Sequence, residues 1–357
     1  MSKSSTRYVS QSGLTVGMDV GDKYCHLCIL DEDAEIVEEG RVATTKVALT
    51  RRLSALEPSL VAIEVGTHSR WLSRLIEGLG HICLIANAYE ARKRAGDRKN
   101  DRLDAESLAR EARSDPHKLK PLTHRGEQAA ADLALVLSRD VLVRARSMLI
   151  LRVRGLSKAH GARLPKCDAR YFPEKVTDLV PEDLGPAVQP LLETIRSLSD
   201  QIHDLDKQLD RLAEERYPEA KGLQQVAGVG PLISLAFVLT LEQPYRFKDS
   251  RDVGAYVGLV PRQRQSGERD PELGITKAGN AYLRYLLVQG AQYIVGPHGP
   301  DSHLRLWALR RAGGKNAKKR TVVAVARKLA VLLHRLWLTG EVYEPLRGEP
   351  AGEVSAA

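Results

Sequence analysis

A regular spacing of apolar residues between positions 188 and 212 constrains the fold most strongly. Alternating steps of three and four residues connect Val188, Leu191, Ile195, Leu198, Ile202, Leu205, Leu209 and Leu212. This heptad spacing is typical of a long helix that packs along another helix. An upstream helical segment carries Leu133, Leu137, Val141, Met148 and Leu151. The pattern favours a hairpin within the chain and a seam between copies equally, so an α-helical coiled-coil region is predicted over 125–216.

Residues 14–86 alternate between strand patterns and helix patterns. The predicted strands are Leu14–Val20, Tyr24–Leu30, Glu35–Val42, Leu60–Val65 and Ile82–Ala86, and the predicted helices are Val47–Leu56 and Ser69–Leu79. Three strands, a helix, a strand, a helix and a strand predict an α/β domain with a mixed sheet. A further helix is predicted over Lys99–Arg113. Asp115-Pro116 ends it, because the residue before a proline is disfavoured in a helix. The first domain is therefore placed at 1–124.

Helical patterns also dominate residues 217–345. The predicted helices there are Leu223–Val229, Leu232–Leu241, Ala278–Val295 and Lys318–Leu338. Gly230 allows a tight turn between the first two, and Pro231 suits the first turn of the second. We predict a mainly α-helical C-terminal domain over 217–345, followed by a disordered tail over 346–357 because that segment is rich in Gly, Pro and Glu.

Composition excludes several classes of protein. Apolar residues make up 43% of the 357 residues, which is enough for packed cores and excludes a wholly disordered chain. No apolar stretch approaches the ~18 residues that a membrane span needs, so no membrane partner is expected. The first residues carry no apolar segment typical of a secretory signal. Four cysteines are too few for a disulfide scaffold, and a reducing cytoplasm is the expected location.

Positive charge is concentrated in two segments. Residues 139–166 contain eight Lys or Arg with Asp140 as the sole acid, and residues 302–340 contain ten with no acid. Solvated surfaces usually mix both signs, so these runs are predicted to neutralise nucleic-acid phosphates. The predicted contacts are Arg144, Arg146, Arg152 and Arg154 in the first run, and Lys315, Lys318, Lys319 and Arg320 in the second. An ordinary solvated helix face is the alternative for each run.

Four carboxylates stand out as candidate metal ligands. Asp19 and Glu64 interrupt apolar strands, where an unpaired carboxylate is costly. Asp101 and Asp104 are three residues apart on a predicted helix and so share a face. Carboxylate oxygens bind Mg²⁺, and two such ions about 4 Å apart can stabilise the attacking and leaving oxygens of a phosphodiester. A turn or cap role is the alternative for the strand-end acids, and surface ion pairs with Arg102, Lys99 and Arg98 are the alternative for Asp101 and Asp104.

Ser266 lies in a polar, basic segment and is a candidate nucleophile. Arg262, Arg264 and Arg269 flank it, and guanidinium groups can bind a phosphate through two hydrogen bonds. A hydroxyl nucleophile needs a base or a metal, and no histidine lies nearby in the sequence. A Ser-Gly pair in such a segment is more often an ordinary loop.

Together these motifs resemble the insertion-sequence-110 family of transposases, the bridge-RNA-guided recombinases. The N-terminal motifs are Val16–Gly21 with Asp31, Ile63-Glu64 and Lys99–Ala105; the C-terminal motifs are Gly228–Pro231, Ala255–Pro261, Gln265–Gly267 and Gly274–Asn280 with Leu283-Arg284. The resemblance spans about residues 14–340. A strand Asp, a later strand Glu and a helical Asp also follow the order of a ribonuclease H-type fold.

The resemblance implies a fold and a set of site residues. It implies an RNase H-like (RuvC-like) α/β N-terminal domain with a DEDD Mg²⁺ site at Asp19, Glu64, Asp101 and Asp104. It also implies a mainly α C-terminal transposase domain in which Ser266 attacks DNA, with Mg²⁺ supplied by the acidic site of another domain or subunit. Gln265 stands where many members carry a second serine.

The resemblance also implies the partners of the protein. They are double-stranded donor and target DNA, a structured noncoding guide RNA, and further copies of the chain in a dimer or tetramer. Lys277 and Arg284, in the C-terminal motifs, join the predicted nucleic-acid contacts. When bound to DNA, the protein is expected in the bacterial nucleoid.

Three other hypotheses remain open from the sequence. A structure-specific RuvC-like DNA endonuclease would use the carboxylates and a metal-activated water but not Ser266. A nucleotide-binding protein of the actin and sugar-kinase type is suggested by Gly17–Gly21, which resembles a phosphate loop, although no second phosphate loop is evident. A non-enzymatic nucleic-acid scaffold would need neither site.

Overall fold

A computed structural model describes Tyr8 and residues 12–87, 101–263, 273–312 and 317–347. The side chains of residues 317 and 318, and residues 348–357 of the predicted tail, lie outside this description. The chain divides into two compact units, Met1–His124 and Arg125–Ala357. The predicted helical region 125–216 and the predicted domain 217–345 fall in the same unit, so their separation stays a prediction.

The first unit is built on one mixed five-stranded sheet. Its strands are β1 (Thr15–Val20), β2 (Tyr24–Leu30), β3 (Ile36–Ala43), β4 (Leu60–Glu64) and β5 (Ile82–Ala86), and its helices are α1 (Lys46–Leu53), α2 (Ser69–Gly78) and α3 (Asp101–Ser114). The strand order is β3-β2-β1-β4-β5. β1 pairs antiparallel with β2 and parallel with β4, and β5 is parallel to β4. The predicted mixed α/β sheet is confirmed.

The two faces of this sheet carry separate apolar cores, because side chains alternate along each strand. Met18 and Ile63 face a core that includes Leu49 of α1 and Leu72 of α2. On the other face, Leu60, Ala62 and Leu84 pack with Leu108 and Ala112 of α3. β3 is mostly exposed, as expected for a strand at the sheet edge. The arrangement fixes α3 against the central strands.

The backbone of α3 approaches the sheet closely at Gly17 of β1. A Cβ atom at this position would overlap the carbonyl oxygen of Ala105 and the amide nitrogen of Ala109. The missing side chain therefore lets the α3 backbone lie directly on β1. This packing accounts for the glycine at position 17, and the phosphate-loop hypothesis stays a hypothesis.

Two long antiparallel helices begin the second unit. They are α4 (Glu127–Ala159) and α6 (Gly185–Arg216), and the short α5 (Phe172–Val176) lies in their connection. Pairs across the two helices run in opposite directions along the chain, from Asp132–Arg216 through Arg139–Asp206 to Arg146–Ser199. The structure thus shows the hairpin alternative within one chain.

The buried stripe of α6 differs in detail from the predicted heptad seam. Val188, Ile195, Ile202, Leu209 and Leu212 are buried as the spacing indicates. Four residues after Val188 and Ile195, however, Leu192 and Ser199 are the buried residues. Leu191, Leu198 and Leu205, which the heptad spacing assigns to the seam, are only half-buried. Leu192 is drawn inward because this end of α6 also packs against α5 and its neighbouring residues. Coiled-coil geometry between the helices stays a prediction.

The rest of the second unit is a helical bundle around α8. Its helices are α7 (Pro218–Leu223), α8 (Pro231–Leu241), α9 (Asp252–Tyr256), α10 (Ala281–Val295), α11 (His303–Arg311) and α12 (Ala317–Thr339). Short 3-10 turns lie at Thr177–Leu179, Glu182–Leu184 and Pro244–Arg246 in this unit, and at Pro116–Leu119 in the first unit. Every residue of α8 from Ser234 to Leu241 is buried. In the described residues, no helix is both long enough and apolar enough to span a bilayer.

The predicted helix over Leu223–Val229 is wrong. The helix there is α7, which ends at Leu223, and residues 224–229 form a turn. Gly228 has a φ of +83° and approaches α10 so closely that a Cβ atom would stand 2.8 Å from the carbonyl oxygen of Gly290. The left-handed backbone at Gly228 ends any helix before α8.

Candidate functional site

Three carboxylates meet where β1 leaves the sheet. Asp19 lies near the end of β1 on the face that α3 covers, and Asp101 and Asp104 lie in the first turn of α3. One carboxylate oxygen from each residue lies within 4.8 Å of the other two. Acidic residues are also favoured at this helix end, because the helix N-terminus carries partial positive charge. The structure therefore assembles three of the four predicted ligands.

The electrostatics of this carboxylate cluster favour a cation. Burial raises the pKa of Asp19, and the negative charges of Asp101 and Asp104 raise it further, against smaller opposing effects of His26 and the Val20 amide. Three oxygens that repel one another and have few internal donors match the hard ligands of Mg²⁺ or a similar ion. The residues present thus fit the divalent metal that the DEDD pattern implies.

Glu64 lies beside the cluster on β4 but is not a member of the three-residue group. The β1–β4 register pairs Met18 with Ile63, so Glu64 follows at the same level as Asp19. Ala62 faces α3, and strand alternation places Glu64 on that same face. Glu64 is half-buried and has an interaction within the chain. Its assignment as a fourth ligand stays a prediction.

His26 is a site neighbour that the sequence patterns missed. It lies directly across the β1–β2 ladder from Asp19, and its Nε2 is 3.9 Å from Oδ2 of Asp101. A second carboxylate–imidazole pair, Asp22 with His68, lies just beyond β1 at 3.4 Å. Pairing the two predicted strands through the Gly21-Asp22 turn would have placed His26 opposite Asp19, so the register was the available signal.

Ser266, Arg264 and Arg269 lie outside the described residues, but the chain on both sides of them is described. The amide of Arg262 donates to the carbonyl of Gly274 over 3.0 Å, and the amide of Thr276 donates to Val260 over 2.9 Å. Pro261 and Ile275 form an antiparallel bridge between these bonds. The segment that contains Ser266 therefore begins and ends where residues 260–262 pair with residues 274–276 through backbone hydrogen bonds. We call this pair of backbone stretches the paired base of the segment.

Two glycines and one arginine fix this base. Gly258 and Gly279 both have positive φ, and a side chain on either would collide with the backbone of the other strand of the base. The Arg284 guanidinium donates to the carbonyls of Val257 (2.9 Å) and Ala278 (2.8 Å). Burial lowers the pKa of Arg284. This predicted nucleic-acid contact thus holds its own backbone, whereas Lys277 is exposed.

The predicted nucleic-acid contacts on α4 also divide into exposed side chains and side chains that bind other parts of the protein. On α4, Arg152 is exposed, and Arg144 is exposed and pairs with Asp140. Arg146 donates to Ser199 over 3.2 Å, and burial lowers its pKa. Arg154 donates to the carbonyls of Leu164 and Pro165 and stacks on Phe172.

The remaining predicted contacts lie near α12 and the Ser266 segment. Lys319 and Arg320 are exposed on α12. Arg262 is exposed and donates to the Ile275 carbonyl. Lys315 and the side chain of Lys318 lie outside the described residues.

Comparison with known proteins identifies the family. A DEDD transposase profile matches residues 16–159, and a profile described as "Transposase IS116/IS110/IS902 family" matches residues 220–305. The transposase for insertion sequence element IS1328 of Yersinia enterocolitica is 30% identical over 284 residues, which cover 78% of this chain and 82% of that protein. The chain belongs to the IS116/IS110/IS902 family of transposases. It is a DNA transposase, as the sequence motifs predicted.

Further relatives extend the match along most of the transposase. The transposase for insertion sequence element IS1111A of Coxiella burnetii is 29% identical over 339 residues, covering 92% of this chain and 90% of its own. The putative transposase y4pF/y4sB of Sinorhizobium fredii is 30% identical over 304 residues, covering 82% and 76%. The DEDD profile spans the carboxylate cluster and supports the RNase H-like α/β fold and a divalent metal.

Proposed function

We propose that this transposase cuts and rejoins DNA by transesterification, using Ser266 as the nucleophile and a Mg²⁺ site at the carboxylate cluster. The observation that carries the proposal is the convergence of Asp19, Asp101 and Asp104 within 4.8 Å. The paired base beneath the Ser266 segment supports the second half, because it would hold a nucleophile on a short, anchored segment.

The proposed reaction conserves bonds in two balanced steps. Ser266 Oγ loses its proton and forms a bond to a DNA phosphorus, while the bond from that phosphorus to one deoxyribose oxygen breaks and the oxygen takes a proton. In the second step, a hydroxyl of another DNA end loses its proton and bonds to the phosphorus, while the bond from phosphorus to Ser266 Oγ breaks and Oγ takes a proton. The phosphodiester count is unchanged, so rejoining needs no external energy source.

The chain's own residues prepare the site for the metal. Asp19, Asp101 and Asp104, with Glu64 at the same level of the sheet, would hold Mg²⁺. When bound, the ion stabilises negative charge on the phosphoryl oxygens and lowers the pKa of a coordinated hydroxyl. His26 faces Asp101, with its Nε2 3.9 Å from Oδ2 of that carboxylate. The close packing of α3 on Gly17 keeps the carboxylates of α3 aligned with Asp19.

A structure-specific DNA endonuclease with metal-activated water is the second candidate. The carboxylate cluster alone is sufficient for that chemistry, because it needs no protein nucleophile. The two functions differ in whether protein and DNA become covalently joined, which makes the adduct the discriminating observation.

Exposed cations of the second unit are proposed to bind donor and target DNA. The exposed cations are Arg152 on α4, Lys277 next to the paired backbone stretches that flank the Ser266 segment, and Lys319 and Arg320 on α12. Phosphate contacts of this kind position a duplex without reading its sequence, and their affinity falls steeply with salt. Selection of sites therefore needs another component.

We propose that a structured noncoding RNA supplies this selection. Purifying the full chain without nuclease treatment, and sequencing the nucleic acid that remains bound, should recover one RNA that matches DNA flanking the gene. A variant with Arg152→Gln, Lys319→Gln and Arg320→Gln should retain less of that RNA. Recovery of no RNA, or of RNA without relation to the flanking DNA, would remove guidance from the proposal while leaving the DNA chemistry intact.

A second copy of the chain is proposed to pack on the outer face of α4. Leu137, Val141, Met148 and Leu151 project from this face with exposed fractions of 38%, 62%, 64% and 69%. Their spacing of four, seven and three residues keeps them in one stripe, in register with a heptad pattern. The hairpin uses the opposite face of α4, so the outer stripe is free for the same stripe of a second molecule.

Replacing both Met148 and Leu151 with glutamate is expected to lower the solution mass of the protein towards that of one chain. Two carboxylates in each copy would meet in a desolvated seam, where unpaired charges are costly. Multi-angle light scattering over a concentration series measures the mass. Ser138→Glu adds a charge to α4 away from the stripe and should not change it. An unchanged mass in the double variant would place the oligomer contact elsewhere.

A further inference from the structure

A cavity of about 670 Å³ in the second unit has no role in the proposed reaction. It lies between α11, α12 and the segment 341–347, with Arg251 at one side. Its volume lies within the range of small-ligand sites in proteins, about 300–1,000 Å³. Its walls combine an aromatic ring, aliphatic side chains and several cations, a combination that a simple surface crevice does not require.

The cavity carries an excess of positive charge. Its cations are Arg251, Arg311, Arg327, Lys328, Arg335 and Arg347, and its acids are Glu341 and Glu344. Glu341 is shared by Arg335 and Arg347. Within the described chain, the other four cations have no carboxylate in ion-pair range. Guanidinium and ammonium groups collected without acidic partners are suited to phosphate oxygens.

Trp307 gives the cavity an aromatic wall. Nζ of Lys328 lies 4.5 Å from the centre of its ring, and Cζ of Arg311 lies 5.6 Å away. Leu304, Val331, Leu332 and Leu336 line the cavity with aliphatic surface. A site for inorganic phosphate would need no such apolar surface, whereas a nucleotide presents a flat base next to its charged phosphate.

The segment 341–347, which forms one wall of the cavity, is anchored to the bundle. The amide of Tyr343 donates to the side-chain oxygen of Gln225 over 2.6 Å, and the amide of His303 donates to the carbonyl of Pro345 over 2.6 Å. The Gln225 amide group also donates to the carbonyl of Glu341. On the other side, Gly254 leaves room for the stem of Arg327, which a Cβ atom would meet at 3.1 Å. The cavity is therefore preformed, which lowers the entropy cost of binding.

We propose that this cavity binds one unpaired nucleotide of a nucleic-acid strand, with its phosphates on Arg311, Arg327 and Lys328 and its base against Trp307, in the place over the ring that the Lys328 ammonium leaves when it turns to a phosphate. A base within a duplex is stacked on its neighbours and cannot enter a concave site. The occupant is therefore a nucleotide from a loop, bulge or single strand. The inference rests on the proposed function in taking nucleic acid as a partner, but it needs neither Ser266 nor the carboxylate cluster.

The test measures binding of short labelled single strands to the full chain by fluorescence anisotropy, at about 0.15 M salt. The probes are an RNA of about 12 nucleotides, the DNA of the same sequence, and that DNA as a duplex. Trp307→Leu should weaken binding of a single strand at least about fivefold, since stacking of one base on an aromatic ring typically contributes a factor of about 5 to 150 in affinity. Binding of the duplex should stay within about twofold. Loss for RNA alone indicates a ribonucleotide occupant, and loss for both strands indicates an occupant of either kind.

Two further measurements keep the inference testable if Trp307→Leu does not fold. Lys328→Gln should weaken single-strand binding, while Lys175→Gln, which removes an exposed charge from α5 on the hairpin, should not. In the unaltered protein, a photoactivated 5-iodouridine RNA should crosslink to the α11 peptide that contains Trp307. Single-strand binding unchanged by folded Trp307 and Lys328 variants, with crosslinks mapping elsewhere, would overturn the inference. A protein that still forms a Ser266–DNA adduct in that case would leave the proposed function standing.

Discussion

Asp19→Asn is expected to abolish DNA cleavage and recombination, and at the same time to make the first unit more stable when no divalent cation is present. Loss of activity should exceed about 100-fold, because even the outer-shell partners of a catalytic metal typically contribute 10–100-fold. Activity is measured as recombined plasmid in a two-plasmid assay, with Mg²⁺ supplied.

The stability gain follows from the direction of the Asp19 pKa. Burial and the neighbouring carboxylates raise that pKa in the folded state above its unfolded value. Asp19 therefore favours folding when protonated at low pH, and this contribution is lost as the pH rises through the folded pKa. At neutral pH the ionised carboxylate opposes folding, so the neutral amide should raise the unfolding temperature by a few degrees.

Added Mg²⁺ should reverse the order of the two unfolding temperatures, so that the unaltered chain unfolds at a higher temperature than Asp19→Asn. The ion binds the folded carboxylate cluster and should raise the unfolding temperature of the unaltered chain, with little effect on Asp19→Asn. Asp33→Asn removes an exposed carboxylate from the same unit and should change neither temperature nor the response to Mg²⁺. A variant that is less stable than the unaltered chain without metal, or that responds equally to Mg²⁺, would contradict the metal role of the cluster.

Ser266→Ala is the second change with a large expected effect, and it should eliminate recombination while DNA binding is retained. The substitution removes one oxygen atom, so the paired base between Val260 and Thr276 should be undisturbed. Loss of a nucleophile commonly removes catalysis by several orders of magnitude, about 10⁶-fold in a well-studied serine enzyme. Ser138→Ala, an exposed serine on α4, is the matched control. Recombination by Ser266→Ala at more than a few per cent of the normal level would exclude the serine mechanism.

Much of the first unit follows from local sequence pattern. The alternation of apolar residues predicts β2 and β5 with the bounds that the structure shows, and Pro116 correctly marks the end of α3. The three-residue spacing of Asp101 and Asp104 also predicts their common face. Their meeting with Asp19 could not be deduced in the same way, because it depends on small residues at Gly17, Ala105 and Ala109 that let a helix lie on a strand.

The second unit was less predictable, for two physical reasons. A heptad spacing indicates that a helix has a partner but not which one, so the structure was needed to pair α4 with α6. The helices α9 and α11 were missed because they are short, and α11 carries arginines around much of its surface, which hides an apolar period. The cavity at Trp307 combines residues from distant segments and leaves no local signal.

Trapping a protein–DNA adduct tests the central claim most directly. The full chain is incubated with end-labelled DNA that carries its recombination site, together with its copurified RNA, and is then denatured and separated by electrophoresis. We expect a labelled band that migrates with the protein, is removed by protease, requires Mg²⁺, and is absent from Ser266→Ala and Asp19→Asn. Mass spectrometry should place the DNA fragment on Ser266. Cleaved DNA with no such band, and cleavage retained by Ser266→Ala, would instead show a metal-dependent nuclease that uses water.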